Sequence, residues 1–229
     1  MQFLKKIKRI LYYLPLVFLF TGCFELIEDL SFNEDGSGSY KLTLNLSASS
    51  MRVKSVLAMD SLRGRKVPSQ QEIEQQLHDY ADQLANKSGI RKAEVAVNHS
   101  DLIVKIHIDF DNISALQKGI SSLSNDTTYQ NKYSNLFENW FEYDGSQLTR
   151  NKIEFSDQKW KQRLKEDDDY HKLREAKCVF IHRFSRQVQN TTNPAMKISK
   201  DGKNTMLQVN PKAVLENDKS MSYQIKLKD

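Results

Sequence analysis

The chain has 229 residues, of which 28% are charged and 39% hydrophobic, so it can form one large folded domain or two small ones. Its formal net charge is +5, but four of its 34 Lys and Arg residues lie before residue 10. Without that basic start, 30 Lys and Arg stand against 29 Asp and Glu, which excludes a nucleic-acid binder that relies on overall positive charge.

The first 22 residues predict a leader that is cut away. Four basic residues precede the apolar run 10–20, which contains Pro15 and is shorter than the roughly 20 residues needed to cross a bilayer. A basic start, a short apolar stretch and then small residues are typical of a secretory signal peptide. A retained transmembrane anchor is the alternative.

The end of the leader, "FTGC" at residues 20–23, resembles the lipobox of bacterial lipoproteins. The resemblance implies that residues 1–22 are removed and that Cys23 is lipidated. Two or three acyl chains, at about 0.8 kcal/mol per buried CH₂, hold a folded domain on a bilayer without a spanning helix. The alternative is an ordinary signal peptide with a cysteine there by chance.

The region from 23 to 125 predicts a strand pair, helices, a second strand pair and a helix. "FELIEDLSF" and "YKLTLNLSAS" flank the turn "NEDGSGS", and the second strand alternates strictly between apolar and polar residues. "SSMRVKSVLAMDSL" predicts a helix. "KAEVAV" and "LIVKIHIDF" predict two strands, after which Asn112 can cap a short helix.

Ser69 and Glu72 form a capping-box pattern at the start of a second helix. Its predicted buried face carries Ile73, Leu77, Tyr80 and Leu84. Gly89 is placed to end it in a left-handed conformation.

The region from 126 to 229 predicts a hairpin around Asp144–Gly145, a charged helix, four strands and one helical turn at "PKAVLEN". "SKDGK" predicts a turn between two of the strands. We expect this region to pack with the first. The whole pattern predicts an α+β fold, with antiparallel hairpins and helices on one face.

The sequence shows no convincing catalytic, metal or cofactor set. Cys178 and His182 could act as nucleophile and base, but a spacing of four in a strand separates them by about 13 Å. His182 is therefore expected to be a buried, hydrogen-bonded structural residue. The acidic run at residues 166–169 predicts a solvated helix face, because neighbouring helical residues point in different directions.

Aromatic residues crowd the stretch "LFENWFEY". They indicate either a strand covered on both faces or an exposed patch that binds a partner. The residues of this candidate binding patch are Phe137, Trp140, Phe141 and Tyr143.

The two ends of the mature chain resemble a known group of proteins. "CFELIEDLSFNEDGSGSYKLTLNLSAS" and "FIHRFSRQVQNTTNPAMKISKDGKNTMLQVN" resemble envelope lipoproteins of Bacteroidota and, more distantly, the mycobacterial LppM-type lipoprotein domain. The resemblance implies an envelope lipoprotein and no active-site residues. Phe24 after the cysteine and the acids Glu25, Glu28 and Asp29 favour the outer membrane, without indicating the leaflet.

Three functions follow as hypotheses. The first is a lipid-anchored, non-enzymatic protein that binds a protein partner or ligand at the membrane surface. The second is a carrier of lipid or another apolar ligand. The third is a hydrolase that uses carboxylates such as Asp167 or Asp169.

Overall fold

The computed structural model describes residues 24–62, 64–122, 139–152, 162, 165–166, 170–216 and 221–229. The predicted leader, Cys23, half of the residues of the predicted charged helix and Phe137 lie outside these residues. Near the end of that predicted helix, Tyr170–Arg174 form a 3-10 helix instead of an α-helix. No helix within the described ranges is long and apolar enough to cross a bilayer.

Thirteen strands and four α-helices occur in the described part of the chain. The strands are β1 (Glu25–Phe32), β2 (Gly38–Asn45), β3 (Ser61–Leu62), β4 (Arg65–Lys66), β5 (Ile90–Asn98), β6 (Ile103–Phe110), β7 (Phe141–Tyr143), β8 (Gln147–Arg150), β9 (Lys177–Phe184), β10 (Val188–Thr191), β11 (Lys197–Ile198), β12 (Asn204–Val209) and β13 (Tyr223–Leu227). The helices are α1 (Ser50–Leu57), α2 (Gln70–Ala85), α3 (Ile113–Ser122) and α4 (Pro211–Glu216).

The larger sheet has seven strands in the order β11-β12-β9-β1-β2-β6-β5. All its neighbours are antiparallel except β1 and β9, which are parallel from Glu25 beside Lys177 to Phe32 beside Phe184. This pairing joins the two regions that the sequence pattern separates at residue 125. The predicted α+β class is confirmed.

A second sheet has four strands in the order β10-β13-β8-β7, and β3 pairs with β4 in a separate short hairpin. The main core includes residues from both larger sheets and from α2 and α3. Phe32 of β1 stacks on Tyr143 of β7 with ring centres 4.0 Å apart, so the two sheets are in direct contact.

The hairpin between β1 and β2 closes as predicted. Asp35 accepts hydrogen bonds from the backbone N–H and the hydroxyl of Ser37, which holds the turn. Gly38 follows because a Cβ there would lie 2.0 Å from the carbonyl oxygen of Ser31 and 2.8 Å from the ring of Phe110. Only glycine allows this close approach.

Two helix predictions need correction. Helix α1 ends at Leu57, so the end of the predicted helix, Ser61–Leu62, lies instead in strand β3. Helix α2 ends at Ala85 with Asn86 as its C-cap residue, while Gly89 takes its positive φ of 78° in the turn that leads into β5.

The buried face of α2 is centred one residue later than predicted. Tyr80 is exposed and Ala81 is buried in its place, whereas Leu84 is buried as predicted. Helical spacing explains the difference, because residues 77, 81 and 84 lie above one another and residue 80 falls at the edge of that stripe.

Candidate functional site

Two cavities follow one another along helix α2 where it faces the edge of the larger sheet. The smaller cavity, of about 120 Å³, is lined by residues near the start of α2, by the end of β5 and by the turn that follows it, residues 97–99. The larger cavity, of about 580 Å³, is lined by residues further along α2 and by residues 93–96 of β5. Strand β6 contributes residues 103–104 to the smaller cavity and 105–107 to the larger. We call the pair the α2 cleft.

A well-formed N-terminus fixes the position of α2. Ser69 Oγ accepts a hydrogen bond from Glu72 N at 3.1 Å, and Glu72 Oε2 accepts one from Ser69 N at 2.7 Å. This is the predicted capping box, and it satisfies two backbone N–H groups that the helix itself cannot pair. Lys66 of β4 also bonds Glu72 at 2.7 Å, and its hydrogen bond, with those of Ser69, lowers the pKa of Glu72 to about 2.

The smaller cavity is mainly apolar. Helix α1 contributes Val53 and Leu57, α2 contributes Ile73, and β5 and β6 contribute Val97 and Val104. None of the residues of α1 is buried, so this helix covers the sheet loosely and leaves space beneath it. A space of this size and lining suits one apolar side chain or the end of an acyl chain.

One wall of the smaller cavity has an unusual backbone. Leu102 has a φ of 53° and is the one described residue other than glycine with a positive φ. A bulky residue in this region is a conformational outlier, and such outliers concentrate at functional sites. The carbonyl of Leu102 accepts a hydrogen bond from Leu46 N at 3.0 Å, which ties the turn to the end of β2.

The larger cavity combines apolar and charged residues. Ala81, Ala93, Val95 and Ile106 supply apolar surface. The ionisable residues of its lining are Lys41, His78, Asp82, Glu94, Lys105 and His107. Its volume lies within the roughly 300–1,000 Å³ of small-molecule sites, which pair an apolar lining with a few polar groups.

A polar group on α2 lies between the two cavities. Glu74 Oε2 is 2.7 Å from His99 Nε2, and Glu74 Oε1 is 4.0 Å from His78 Nε2. His99 lines the smaller cavity and His78 the larger one. Across the residues the structure describes, no group of three His, Cys, Asp or Glu side chains could hold a metal ion.

A second cluster of polar residues is buried between the two larger sheets. Glu28 of β1 and Arg150 of β8 form an ion pair whose side chains are only 7% and 5% exposed. The guanidinium carbon of Arg150 lies 4.3 Å from the ring centre of Phe180 and 4.9 Å from that of Phe141. Tyr40 donates a hydrogen bond of 3.4 Å to Glu28. This cluster links the two sheets.

His182 belongs to the same buried cluster. It is fully buried, with Nδ1 3.2 Å from Thr205 Oγ1 and Nε2 3.1 Å from the hydroxyl of Tyr223. Burial and the charge of Arg150 lower the pKa of His182 to about 3, so its ring is neutral near pH 7. The predicted structural, hydrogen-bonded histidine is confirmed.

The two ring nitrogens of His182 face Thr205 and Tyr223 rather than Cys178. The side chains of Cys178 and His182 are both buried on the core side of β9. Burial raises the pKa of the Cys178 thiol to about 11, so the reactive thiolate is rare at neutral pH.

The predicted aromatic patch is not exposed at its centre. Trp140 and Phe141 are buried, Trp140 against Tyr40 and Phe141 against His182, with ring centres 5.7 and 6.1 Å apart. Tyr143 is half-buried on Phe32. The interpretation of Trp140 and Phe141 as an exposed binding surface is therefore wrong.

Helix α3 explains why this strand is covered. The side chain of Gln117 donates to the carbonyl of Phe141 at 3.0 Å and accepts from its N–H at 2.8 Å. The amide thus takes the place of a neighbouring strand at the edge of the four-stranded sheet. Four other candidate residues, Cys23, Phe137, Asp167 and Asp169, lie outside the described residues.

Neither the α2 cleft nor the buried ion pair was predicted from the sequence. A signal for the ion pair existed, because Glu28 occupies an apolar position in the alternation of β1, between Leu26 and Leu30. The cleft has no such signal, since its walls come from five separate segments.

Comparison with known proteins found one weak structural similarity. No protein-family model and no curated protein matches the chain. Among solved structures, the NMR structure of the folded domain of Mycobacterium tuberculosis LppM aligns over 91% of this chain and 92% of its own, with 11% sequence identity and a TM-score of 0.39. LppM is the more distant of the two resemblances that the motifs indicate, and a likeness this weak carries no conclusion about function.

Proposed function

We propose that the chain is a lipid-anchored protein of the bacterial cell envelope, in the outer membrane, whose domain binds a ligand or partner in the α2 cleft without catalysis. The anchor rests on the sequence, namely the leader at residues 1–22 and the lipobox ending at Cys23. The binding site rests on one observation, the pairing of a small apolar cavity with a larger one that carries ionisable groups.

The ligand that suits this pairing is amphipathic. An apolar group fits the smaller cavity, and a polar or acidic group fits beside Lys41 and Lys105 in the larger one. Apolar burial supplies affinity, and the few charged residues fix the orientation of the ligand.

A carrier of lipid is the second candidate. The apolar lining of the smaller cavity favours it. Its volume of about 120 Å³ holds only part of an acyl chain, so a carrier would require α1 to move away from the sheet. The loose packing of α1 is compatible with such a movement.

The anchor is tested by growing the bacterium with a clickable palmitate analogue. The full-length protein and a Cys178→Ala variant should be labelled, and a Cys23→Ser variant should not. Intact mass of the native product should show the loss of residues 1–22 together with a lipid modification. A native product that retains the leader, or an unmodified thiol at position 23, would refute the anchor.

The cleft is tested by native mass spectrometry of the protein extracted gently from its own membranes. The exposed Ala96 lines the larger cavity, so Ala96→Trp should fill it without disturbing the core. Gln224→Trp, an exposed position on β13, is the matched control. A small co-purifying molecule should be present on the native protein and on the control, and absent from Ala96→Trp. Equal occupancy of all three proteins would show that the ligand binds elsewhere.

A further inference from the structure

The start of the described chain and helix α1 lie at the same end of the seven-stranded sheet. Glu25, the first residue of β1, pairs with Asn45, the last residue of β2. The chain then passes through a short 3-10 turn, Ser47–Ser49, directly into α1. Phe24 is fixed at this end as well, because its carbonyl accepts a hydrogen bond from Lys177 N at 3.0 Å.

Exposed apolar side chains concentrate in α1 and the hairpin that follows it. Six large hydrophobic side chains are exposed among the described residues, and three of them, Met51, Met59 and Leu62, lie within 12 positions of one another. Of the other three, Tyr80 lies on α2, and Ile198 and Met206 lie on the neighbouring strands β11 and β12. We call the first three, together with Lys54, the α1–hairpin surface.

The same segment is basic. Its described residues include Arg52, Lys54 and Lys66 against one acid, Asp60, and Lys66 is paired with Glu72 of α2. The mature chain as a whole is nearly neutral, so this is a local excess of positive charge. Basic groups beside exposed Met and Leu side chains match a bilayer surface, where phosphate head groups lie above the acyl chains.

We propose that the α1–hairpin surface lies on the phospholipid bilayer that carries the anchor. This inference rests on the proposed lipid at Cys23, which is one residue from Phe24. The anchor would hold this end of the sheet at the membrane, and Met51, Met59 and Leu62 would enter the head-group region. The opposite end of the sheet, where β11 lies beside the start of β12, would point away from the bilayer.

This orientation also places the smaller cavity of the α2 cleft next to the membrane. Val53 and Leu57 of α1 form one of its walls. An apolar ligand could then pass between the bilayer and the cavity over a short distance.

A matched pair of labelled proteins tests the orientation. Leu62 and Ile198 are both 43% exposed, and Ile198 lies in β11, at the end of the sheet opposite to the one from which α1 starts. Each is changed to cysteine in the full-length chain, and the mature protein is labelled with an environment-sensitive fluorophore. The buried Cys178 reacts slowly because burial raises the pKa of its thiol. Circular dichroism in detergent verifies that both labelled proteins keep the native fold.

The labelled proteins are reconstituted into vesicles that contain phosphatidylglycerol and brominated phospholipid. The label at position 62 should lose most of its fluorescence to the bromine atoms, whereas the label at position 198 should keep it. Lys54→Glu should weaken the quenching at position 62, and Lys226→Glu, an exposed lysine of β13, should not. Equal quenching at both positions, or none at position 62, would overturn the proposal.

Failure of the anchor gives a different result. Without a lipid at Cys23, palmitate labelling is absent and the protein does not reconstitute into the vesicles. If labelling is present and position 62 is still not quenched, the anchor stands and the orientation is wrong. A protein partner on this surface would produce that second result.

Discussion

Replacing Arg150 with methionine should strongly destabilise the fold, because it leaves Glu28 as an unpaired charge between two sheets. Both side chains of the pair are at least nine-tenths buried. Breaking a buried ion pair on one side costs about 3–5 kcal/mol, whereas exposed pairs contribute at most about 1 kcal/mol. Loss of the stacking of Arg150 between Phe141 and Phe180 adds about 1 kcal/mol.

The size of the effect can be converted into a thermal shift. In a chain of this length, 1 kcal/mol corresponds to about 2–4 °C in Tm. Arg150→Met should therefore lower Tm by roughly 8–24 °C, and it should lower the urea midpoint in equilibrium unfolding followed by circular dichroism.

Two further variants show whether the unpaired charge is the cause. Glu28→Gln combined with Arg150→Met removes both charges and keeps an acceptor for the hydroxyl of Tyr40. This double variant should be more stable than Arg150→Met alone by about 2 kcal/mol. Arg183→Met breaks the partly exposed, bidentate pair with Asp29 and should cost about 1 kcal/mol, well below the cost of Arg150→Met. The reasoning is refuted if the double variant is no more stable than the single one, or if both arginine variants cost the same.

Three other predictions concern the helix cap, the buried histidine and the buried thiol. Ser69→Ala should destabilise the protein by about 1 kcal/mol in urea unfolding, and Ser222→Ala, an exposed serine just before β13, should not. The pKa of His182 is lowered to about 3 in the folded state. As the pH decreases, His182 therefore takes up a proton in the unfolded chain before it does so in the folded chain. The free energy of unfolding should then fall by up to about 1.4 kcal/mol per pH unit between about pH 6.5 and pH 3. This part of the pH dependence should vanish in His182→Asn. Cys178 should react with a maleimide at pH 7.5 at least about tenfold more slowly than in urea, and equal rates would contradict its burial.

Local sequence signals predicted the local structure well. The capping box at Ser69, the cap at Asn112 and the turns before Gly38 and after Asp201 each depend on residues within five positions of one another. Such short-range hydrogen bonds follow directly from residue type and spacing.

Pairing between distant segments was not predictable in this way. The alternation of β1 and β9 shows that each is a strand with one buried face, but the period of two does not identify the partner. Residues 29 and 183 are 154 positions apart, and only the folded chain brings them together. The α2 cleft depends on another distant pairing, that of β2 with β6, since these strands and β5 line it.

The aromatic stretch failed as a binding-site prediction for a related reason. In "WFEY", large apolar residues occur at both odd and even positions, a pattern that favours a strand covered on both faces but also allows an exposed patch. The deciding contact, the side chain of Gln117 on the backbone of Phe141, joins residues 24 positions apart.

The central position of β1 in its sheet has a mechanical consequence. Three strands lie on each side of it, and its first residue is two positions from Cys23. A force that pulls on a lipid at Cys23 would therefore act along the axis of β1. It would shear β1 against β2 and β9, to which β1 is hydrogen-bonded along its whole length. Shear requires many bonds to break together, so the lipid should leave the bilayer before the strand leaves the sheet.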